Sequence, residues 1–240
     1  MLLEWTILCL LIILPIAAAI SGKRIKDLPP SDRIQFYFKD IVASVVILTV
    51  FFALKPSLYD PLDFSAMDKG IDTGDFLLSL PVIFLVPFVL SFTRWSNDYP
   101  KEIAAAKELF GYPVSYLPNT TTEYLWFIGY VVVGVFFEEL TCRLFLFRSL
   151  NTTLDLDGDM LIVVSSLLFA LAHLYQGWKG ILSSFFIGVI LGKFFLVKET
   201  LAYPITLHLF LNLTIVVLAF QRMRDLKKIN RDAQDVHGPG

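Results

Sequence analysis

The sequence has little charge and little cysteine for its length. Of its 240 residues, 18% are Asp, Glu, Lys or Arg, whereas a typical soluble domain has about 25%. Its 20 basic and 22 acidic residues exclude the basic excess of a nucleic-acid-binding protein. The two cysteines, Cys9 and Cys142, lie in apolar segments. They cannot form a disulfide framework, and their spacing is not that of a zinc site.

Apolar residues are abundant instead, and they occur in long runs. They make up 56% of the chain, and the mean hydropathy is +0.67. Because lipid offers no partner for an open backbone, a chain crosses the roughly 30 Å of hydrocarbon as helices of about 20 residues. The runs of suitable length are 5–22, 41–54, 76–93, 124–137 with its continuation to 147, 160–178, 180–197 and 201–220. The sequence therefore predicts an all-α fold, a polytopic transmembrane helix bundle of about seven spans, or eight.

The distribution of charge predicts how the bundle is oriented. Basic residues concentrate in 22–40, in 94–107 and in the tail, whereas 55–75 and 151–159 are acidic. Since basic loops stay on the cytoplasmic side, seven crossings place the amino terminus outside and the carboxy terminus in the cytoplasm. We expect a multi-pass protein of the cell membrane. Residues 1–220 form one integral-membrane domain, and 221–240 form a charged, disordered tail.

Charged side chains inside the predicted spans are few and grouped. Each costs at least about 2.5–3.5 kcal/mol at the centre of a span, so they are expected to be paired or functional. Glu139 and Arg143 are four residues apart, share a helical face and can form an ion pair. Glu138 is rotated away from that face, and burial would make its carboxylate a stronger base. Alternatively, both glutamates serve only as packing anchors for Arg143.

Two histidines lie in later spans. His173 follows Phe169 by one helical turn, and His208 precedes Asn212 by one turn on the same face. A lone histidine near the end of a span, such as His173, is typical of a hydrogen bond at the membrane interface. His208 with Asn212 is typical of a structural hydrogen bond between helices. Together with Glu138, these groups can supply a base, a positioning group and donors for an oxyanion. In simple crossings, however, His173 lies past the middle of its span and His208 before the middle of its own.

These residues resemble the motifs of the CAAX-processing and bacteriocin-processing (CPBP, or Abi) intramembrane endopeptidases, which include the type II CAAX prenyl protease. The motifs of that family are EExxxR, FxxxH and HxxxN. The matching segments here are Glu138 to Arg143, Phe169 to His173, and His208 to Asn212. The three motifs occur in the family's order within apolar runs, in a motif core at 134–212.

The resemblance implies an enzyme, a peptidase that cleaves a membrane-anchored protein or peptide. Its substrates would be CAAX-type carboxy termini with a prenylated cysteine, or bacteriocin and leader peptides, and some relatives are linked to bacteriocin immunity. The resemblance assigns Glu138 as the base that activates water and His173 as its partner. His208, through a neutral imidazole N–H, and Asn212 would donate to the oxyanion. The predicted structural support is Glu139, Arg143 and Phe169.

We expect a metal-free mechanism and no cofactor. Three alternatives stay open. Glu138, His173 and His208 could hold zinc, although the chain has no HExxH pair. A membrane transporter or proton relay also contains intramembrane Glu and His. A non-catalytic immunity or scaffold protein could retain the motifs. The expected partners are a membrane-anchored substrate, prenylated or not, and the lipid bilayer, with no nucleic acid.

Overall fold

The computed structural model describes residues 32–54 and 117–236, together with Cys9 and Ile13, and all regular elements in this part are helical. At 179, 218, 222 and 225–236 it describes the backbone alone. The helices are α1 Arg33–Leu54, α2 Thr121–Glu139, α3 Phe147–Leu154, α4 Gly158–Ala172, α5 Gly177–Lys198 and α6 Ala202–Val236. A π-helical segment, Leu140–Leu146, joins α2 to α3, and a 3-10 turn, Leu174–Gln176, joins α4 to α5.

Four helical segments are long and apolar enough to cross a membrane. They are Arg33–Leu54, Thr121–Leu154, Gly180–Lys198 and Ala202–Gln221. They match the predicted runs at 41–54, 124–147, 180–197 and 201–220. The all-α membrane fold is therefore confirmed for the described part, whereas the predicted spans at 5–22 and 76–93 lie outside the described residues apart from two single positions.

The predicted span at 160–178 differs from the observed helix. Helix α4 ends at Ala172 after 15 residues, which is about 22 Å and short of the hydrocarbon thickness. His173 leaves the helical conformation at φ −96° and ψ 15°. Gly177, at φ 81°, then starts α5, and this left-handed region favours glycine. A turn therefore interrupts the apolar run that the sequence pattern presents as continuous.

Helix α6 continues through the charged residues to Val236, past position 221, where a disordered tail is predicted. Its sequence contains no glycine, and its proline, Pro204, lies in the first turn, where the missing N–H is tolerated. The helix therefore has no internal breaker. Residues 237–240, including His237, lie outside the described part.

Contacts between side chains show the relative directions of the helices. Helices α1 and α2 are parallel, since Arg33 pairs with Glu123 near their starts and the Phe51 and Phe145 rings meet further along, 5.0 Å apart. Helices α2 and α6 are antiparallel. The Tyr124 ring lies 5.8 Å from that of Phe220, while Glu139, later on α2, contacts His208, earlier on α6. The second half of α2 therefore faces the first half of α6.

Two glycines allow α5 to approach α4 closely. A Cβ atom on Gly188 would lie 3.0 Å from the Ser166 Cβ atom, and one on Gly192 would lie 3.4 Å from a methyl group of Ile162. Such small-xxx-small spacing is typical of tightly packed membrane helices. The close approach brings the backbone of α5, including the Gly188 carbonyl, next to the interior of the bundle.

A buried ion pair joins α1 to the start of α2. Arg33 Nη1 lies 3.3 Å from Glu123 Oε2, and the two side chains are 8% and 7% exposed. The same oxygen accepts the Asn119 backbone N–H at 2.8 Å. Thr120 Oγ1 accepts the Glu123 N–H at 3.2 Å and so caps α2. The Glu123 carboxylate therefore connects α1, the loop before α2 and the first turn of α2.

We expect Arg33→Ala to lower the free energy of unfolding by roughly 3–5 kcal/mol, because it leaves the Glu123 carboxylate buried without its counter-charge. A matched control is Lys193→Ala, which breaks an ion pair of the same 3.3 Å length whose side chains are 51% and 89% exposed. An exposed pair contributes about 0–1 kcal/mol. Unfolding of both variants in detergent micelles measures the difference. Equal losses would contradict the structural role of the buried pair.

Candidate active site

An imidazole ring lies between two carboxylates at the centre of the candidate site. His208 Nδ1 lies 2.6 Å from Glu139 Oε1, and His208 Nε2 lies 3.6 Å from Glu138 Oε2. His208 and Glu139 are buried, whereas the Glu138 side chain is 35% exposed. The prediction of a buried Glu138 is therefore wrong. Successive residues of a helix differ by about 100° in direction, so Glu139 points into the packed interior while Glu138 faces an accessible space.

Arg143 holds Glu139 from the other side. Its Nε atom lies 3.3 Å from Glu139 Oε2, an ion pair four residues apart on one helix. Nη2 donates to the Gly188 carbonyl oxygen at 3.2 Å, and the guanidinium carbon lies 4.8 Å from the centre of the Phe169 ring. The ion pair expected from the sequence is present. Arg143 also attaches α2 to α4 and α5, which the spacing alone does not predict.

Arg143 belongs to the π-helical segment Leu140–Leu146, in which every residue is buried. Single π-helical turns inside α-helices are rare and occur often at functional sites. The segment begins directly after the two glutamates, and its residues include neither proline nor glycine. The sequence therefore contains no local signal for this segment, which carries Arg143, the ion-pair partner of Glu139.

His173 lies at the carboxy-terminal end of α4. Its Nδ1 atom is 2.8 Å from the Phe169 carbonyl oxygen, and its ring stacks on that of Tyr175 at 6.1 Å. A carbonyl oxygen only accepts, so Nδ1 carries the proton and Nε2 of the neutral ring presents a lone pair. Among the described residues, no hydrogen bond or ion pair joins His173 to Glu138 or Glu139.

The Phe169 ring connects the two histidines. Its centre lies 4.7 Å from the His173 ring and 6.1 Å from the His208 ring. Because α4 ends at Ala172 instead of continuing across the membrane, His173 lies beside the same aromatic ring as His208. Simple crossings would place His173 and His208 at different depths in the membrane, but this difference does not separate the two histidines here.

The hydrogen-bond partners of His208 determine which of its ring nitrogens carries a proton. Glu139 is ion-paired with Arg143, and an ionised carboxylate accepts hydrogen bonds only, so Nδ1 of His208 is the donor. A neutral His208 then carries a lone pair at Nε2. The predicted neutral imidazole donor is therefore wrong, because Nε2 can donate only when the ring is doubly protonated.

Asn212 lies one turn after His208 on α6 and is partly buried. In the described part of the chain, no residue forms a hydrogen bond with its side-chain amide. Residues four apart on a helix are neighbours on one face. The amide group can therefore reach the same volume as His208 Nε2 without first breaking an existing bond.

The candidate zinc ligands do not form a metal-binding cluster in the described residues. Within 32–54 and 117–236, no group of three or more His, Cys, Asp or Glu side chains is placed so that it could hold a metal ion. Zinc in a peptidase needs three protein ligands around one point. Glu138, His173 and His208 in the observed arrangement do not supply that geometry.

Sequence reasoning missed three features of the site. It assigned Glu139 to Arg143 alone, whereas the carboxylate also holds His208. It missed the Gly188 carbonyl, for which the spacing of Gly188 and Gly192 was an available signal. It also missed the π-helical segment Leu140–Leu146, which carries Arg143.

Comparison with known proteins finds one family that is similar to part of the described chain. The model of the family "Type II CAAX prenyl endopeptidase Rce1-like" matches residues 120–214. The match begins at the residue that caps α2 and ends two residues after Asn212, so it includes all three motifs. No curated protein and no solved structure matches the chain. With four membrane-length helices in the described part, the resemblance seen in the sequence is confirmed at residues 120–214, which are similar to the type II CAAX prenyl endopeptidase Rce1-like family.

Proposed function

We propose that the protein is an intramembrane endopeptidase in which Glu138 activates water to cleave a CAAX-type carboxy terminus. The observation that carries this proposal is the arrangement around His208. Its Nδ1 atom is bound by Glu139, and its Nε2 atom faces Glu138. The family match supports a membrane peptidase acting on CAAX sequences. Cleavage of a bacteriocin or leader peptide is the second substrate class that the motifs support.

Glu138 is the group best placed to act as the base. It is accessible, and its 3.6 Å separation from His208 Nε2 is too long for a strong hydrogen bond. Its lone pairs are therefore available to a water molecule. Glu138 takes a proton from this water as the oxygen attacks the peptide carbonyl, and the proton then passes to the leaving amine as the C–N bond breaks. His173, with a lone pair at Nε2, acts as the partner that orients the water.

His208 and Asn212 are the proposed donors to the oxyanion. Glu139 and Glu138 together offset the charges of Arg143 and a doubly protonated His208, whose Nε2–H can then point to the developing negative charge. The Asn212 amide adds a neutral donor one turn away. Donors fixed in advance inside a site with little water stabilise a developing charge more than water does.

Glu138→Gln should reduce cleavage of a farnesylated CAAX peptide by about 10²–10⁴-fold, the contribution of a general base. The melting temperature should change little, because Glu138 is partly exposed. Purified protein in micelles, assayed by mass spectrometry, provides the measurement. Near-normal turnover by Glu138→Gln would eliminate Glu138 as the base.

The adjacent variant Glu139→Gln is the matched control for this experiment. It leaves the buried Arg143 without its counter-charge, so the protein should unfold more easily, whatever the effect on the rate. Ion flux in vesicles that depends on Glu138, without peptide cleavage, would favour the transporter alternative.

Activity should persist after extensive chelation, because the described residues offer no three-ligand metal cluster. Metal analysis of the chelated protein and a cleavage assay on the same sample test this expectation. Loss of activity that returns on addition of one equivalent of zinc would support the metallopeptidase alternative instead.

Asn212→Ala should lower kcat by about 10²–10³-fold, the effect of losing one oxyanion donor, with KM nearly unchanged. Asn212→Asp should be at least as damaging, because its carboxylate repels the oxyanion. Single-turnover rates and melting temperatures of both variants separate this role from a structural one. An Asn212→Ala protein with a normal rate and a much lower melting temperature would contradict the oxyanion role.

A further inference from the structure

The turn between α4 and α5 brings the ring of Tyr175 onto that of His173. In a continuous helix, residues two apart differ by about 200° in direction and do not face each other. Here α4 ends at Ala172, and the backbone oxygen of His173 accepts the Gln176 N–H at 2.9 Å in the turn that follows. The two rings are stacked, with centres 6.1 Å apart and planes inclined by 26°. The interruption of the apolar run therefore creates a contact that an unbroken span would not allow.

The contacts of His173 with Phe169 leave its ring some freedom. The Nδ1 atom donates to the Phe169 carbonyl oxygen at 2.8 Å, and the Phe169 ring lies 4.7 Å away, tilted by 53°. A single hydrogen bond fixes one atom, so the imidazole can still swing about Nδ1 and carry Nε2 with it. A second ring stacked on the imidazole restricts this motion, and Tyr175 supplies that ring.

The Tyr175 side chain is itself held in place. Gln176 Nε2 donates to the Tyr175 hydroxyl oxygen at 3.0 Å. Gln176 in turn packs over Gly180 so closely that a Cβ atom on this glycine would lie 2.7 Å from Gln176 Oε1. Tyr175 and Gln176 are both partly buried. The contacts therefore form a continuous series from the first turn of α5, through Gln176 and Tyr175, to the ring of His173.

We propose that Tyr175 is a positioning residue, whose ring keeps the Nε2 lone pair of His173 directed at the water that Glu138 activates. This inference rests on the proposed peptidase function, in which His173 orients that water. A displacement of about 1 Å in such an arrangement can cost about 10²-fold in rate. Because Tyr175 acts through His173 and not on the substrate, its loss should lower kcat and leave KM nearly unchanged.

Two substitutions of Tyr175 test the role of its ring. Tyr175→Leu removes the ring and should lower the single-turnover rate on a farnesylated CAAX peptide by about 10–10²-fold. Tyr175→Phe keeps the ring and loses only the hydrogen bond from Gln176, so its rate should stay within about fivefold of the wild-type rate. The full-length protein in micelles is assayed at saturating enzyme, and a peptide titration gives KM. Neither value depends on the amount of folded protein.

Tyr203→Leu is the matched control. Tyr203 is also partly buried, and its ring stacks on that of Phe194 with centres 6.5 Å apart. This contact joins α5 to α6 and does not include His173. The substitution removes the same ring from the same kind of contact, so it should lower the melting temperature and leave the rate unchanged.

A double substitution tests whether Tyr175 acts through His173. In a protein that already carries His173→Ala, adding Tyr175→Leu should cause no further loss of rate, because the ring that Tyr175 positions is absent. A further loss as large as that of Tyr175→Leu alone would show that Tyr175 acts elsewhere, and would overturn the proposal.

The other contrary outcomes are distinct. The positioning role is overturned by a normal rate in Tyr175→Leu, by an equal loss in Tyr175→Phe, or by an equal loss in the Tyr203→Leu control. A raised KM with an unchanged kcat would also overturn it, because Tyr175 would then bind the substrate. Each of these results leaves the peptidase function standing. Failure of the wild-type protein to cleave any CAAX peptide would instead overturn the proposed function, and the inference with it.

Discussion

The charge of Glu139 is the constraint on which the described core depends. A buried carboxylate is unfavourable unless cations and hydrogen bonds compensate it. Arg143 contacts one of its oxygens, and His208 contacts the other. Arg143 in turn bonds the backbone of α5 at Gly188. The contacts of Arg143 with α5 and of His208 with α2 therefore both serve to neutralise one buried side chain.

The two histidines differ because their partners differ. Nδ1 of His173 faces a backbone carbonyl, whereas Nδ1 of His208 faces an ionised carboxylate. The first arrangement suits a neutral ring with a lone pair at Nε2, and the second supports a ring that can carry a second proton. The proposed division of roles, with one imidazole accepting and the other donating, rests on these contacts.

The membrane determines where polar groups can lie in this fold. Two ion pairs, Arg33–Glu123 and Glu139–Arg143, are buried among helices that are long and apolar enough to cross a membrane. Helix α4 is too short to cross alone, and its end places His173 inside the bundle. Glu138, in contrast to Glu139, is accessible, with a side chain that is 35% exposed.

The sequence alone predicted the helical membrane spans of the described part, the pairing of Glu139 with Arg143 and the resemblance to the family, because hydrophobic runs and spacings of three to four residues are local properties of a helix. It did not predict the end of α4, the π-helical segment or the contact between His208 and Glu139, which are 69 positions apart. Helical periodicity indicates which face a residue occupies but not which other helix meets that face. Only tertiary packing, with close approach at Gly188, decided that Glu139, expected to pair with Arg143 alone, would also hold His208.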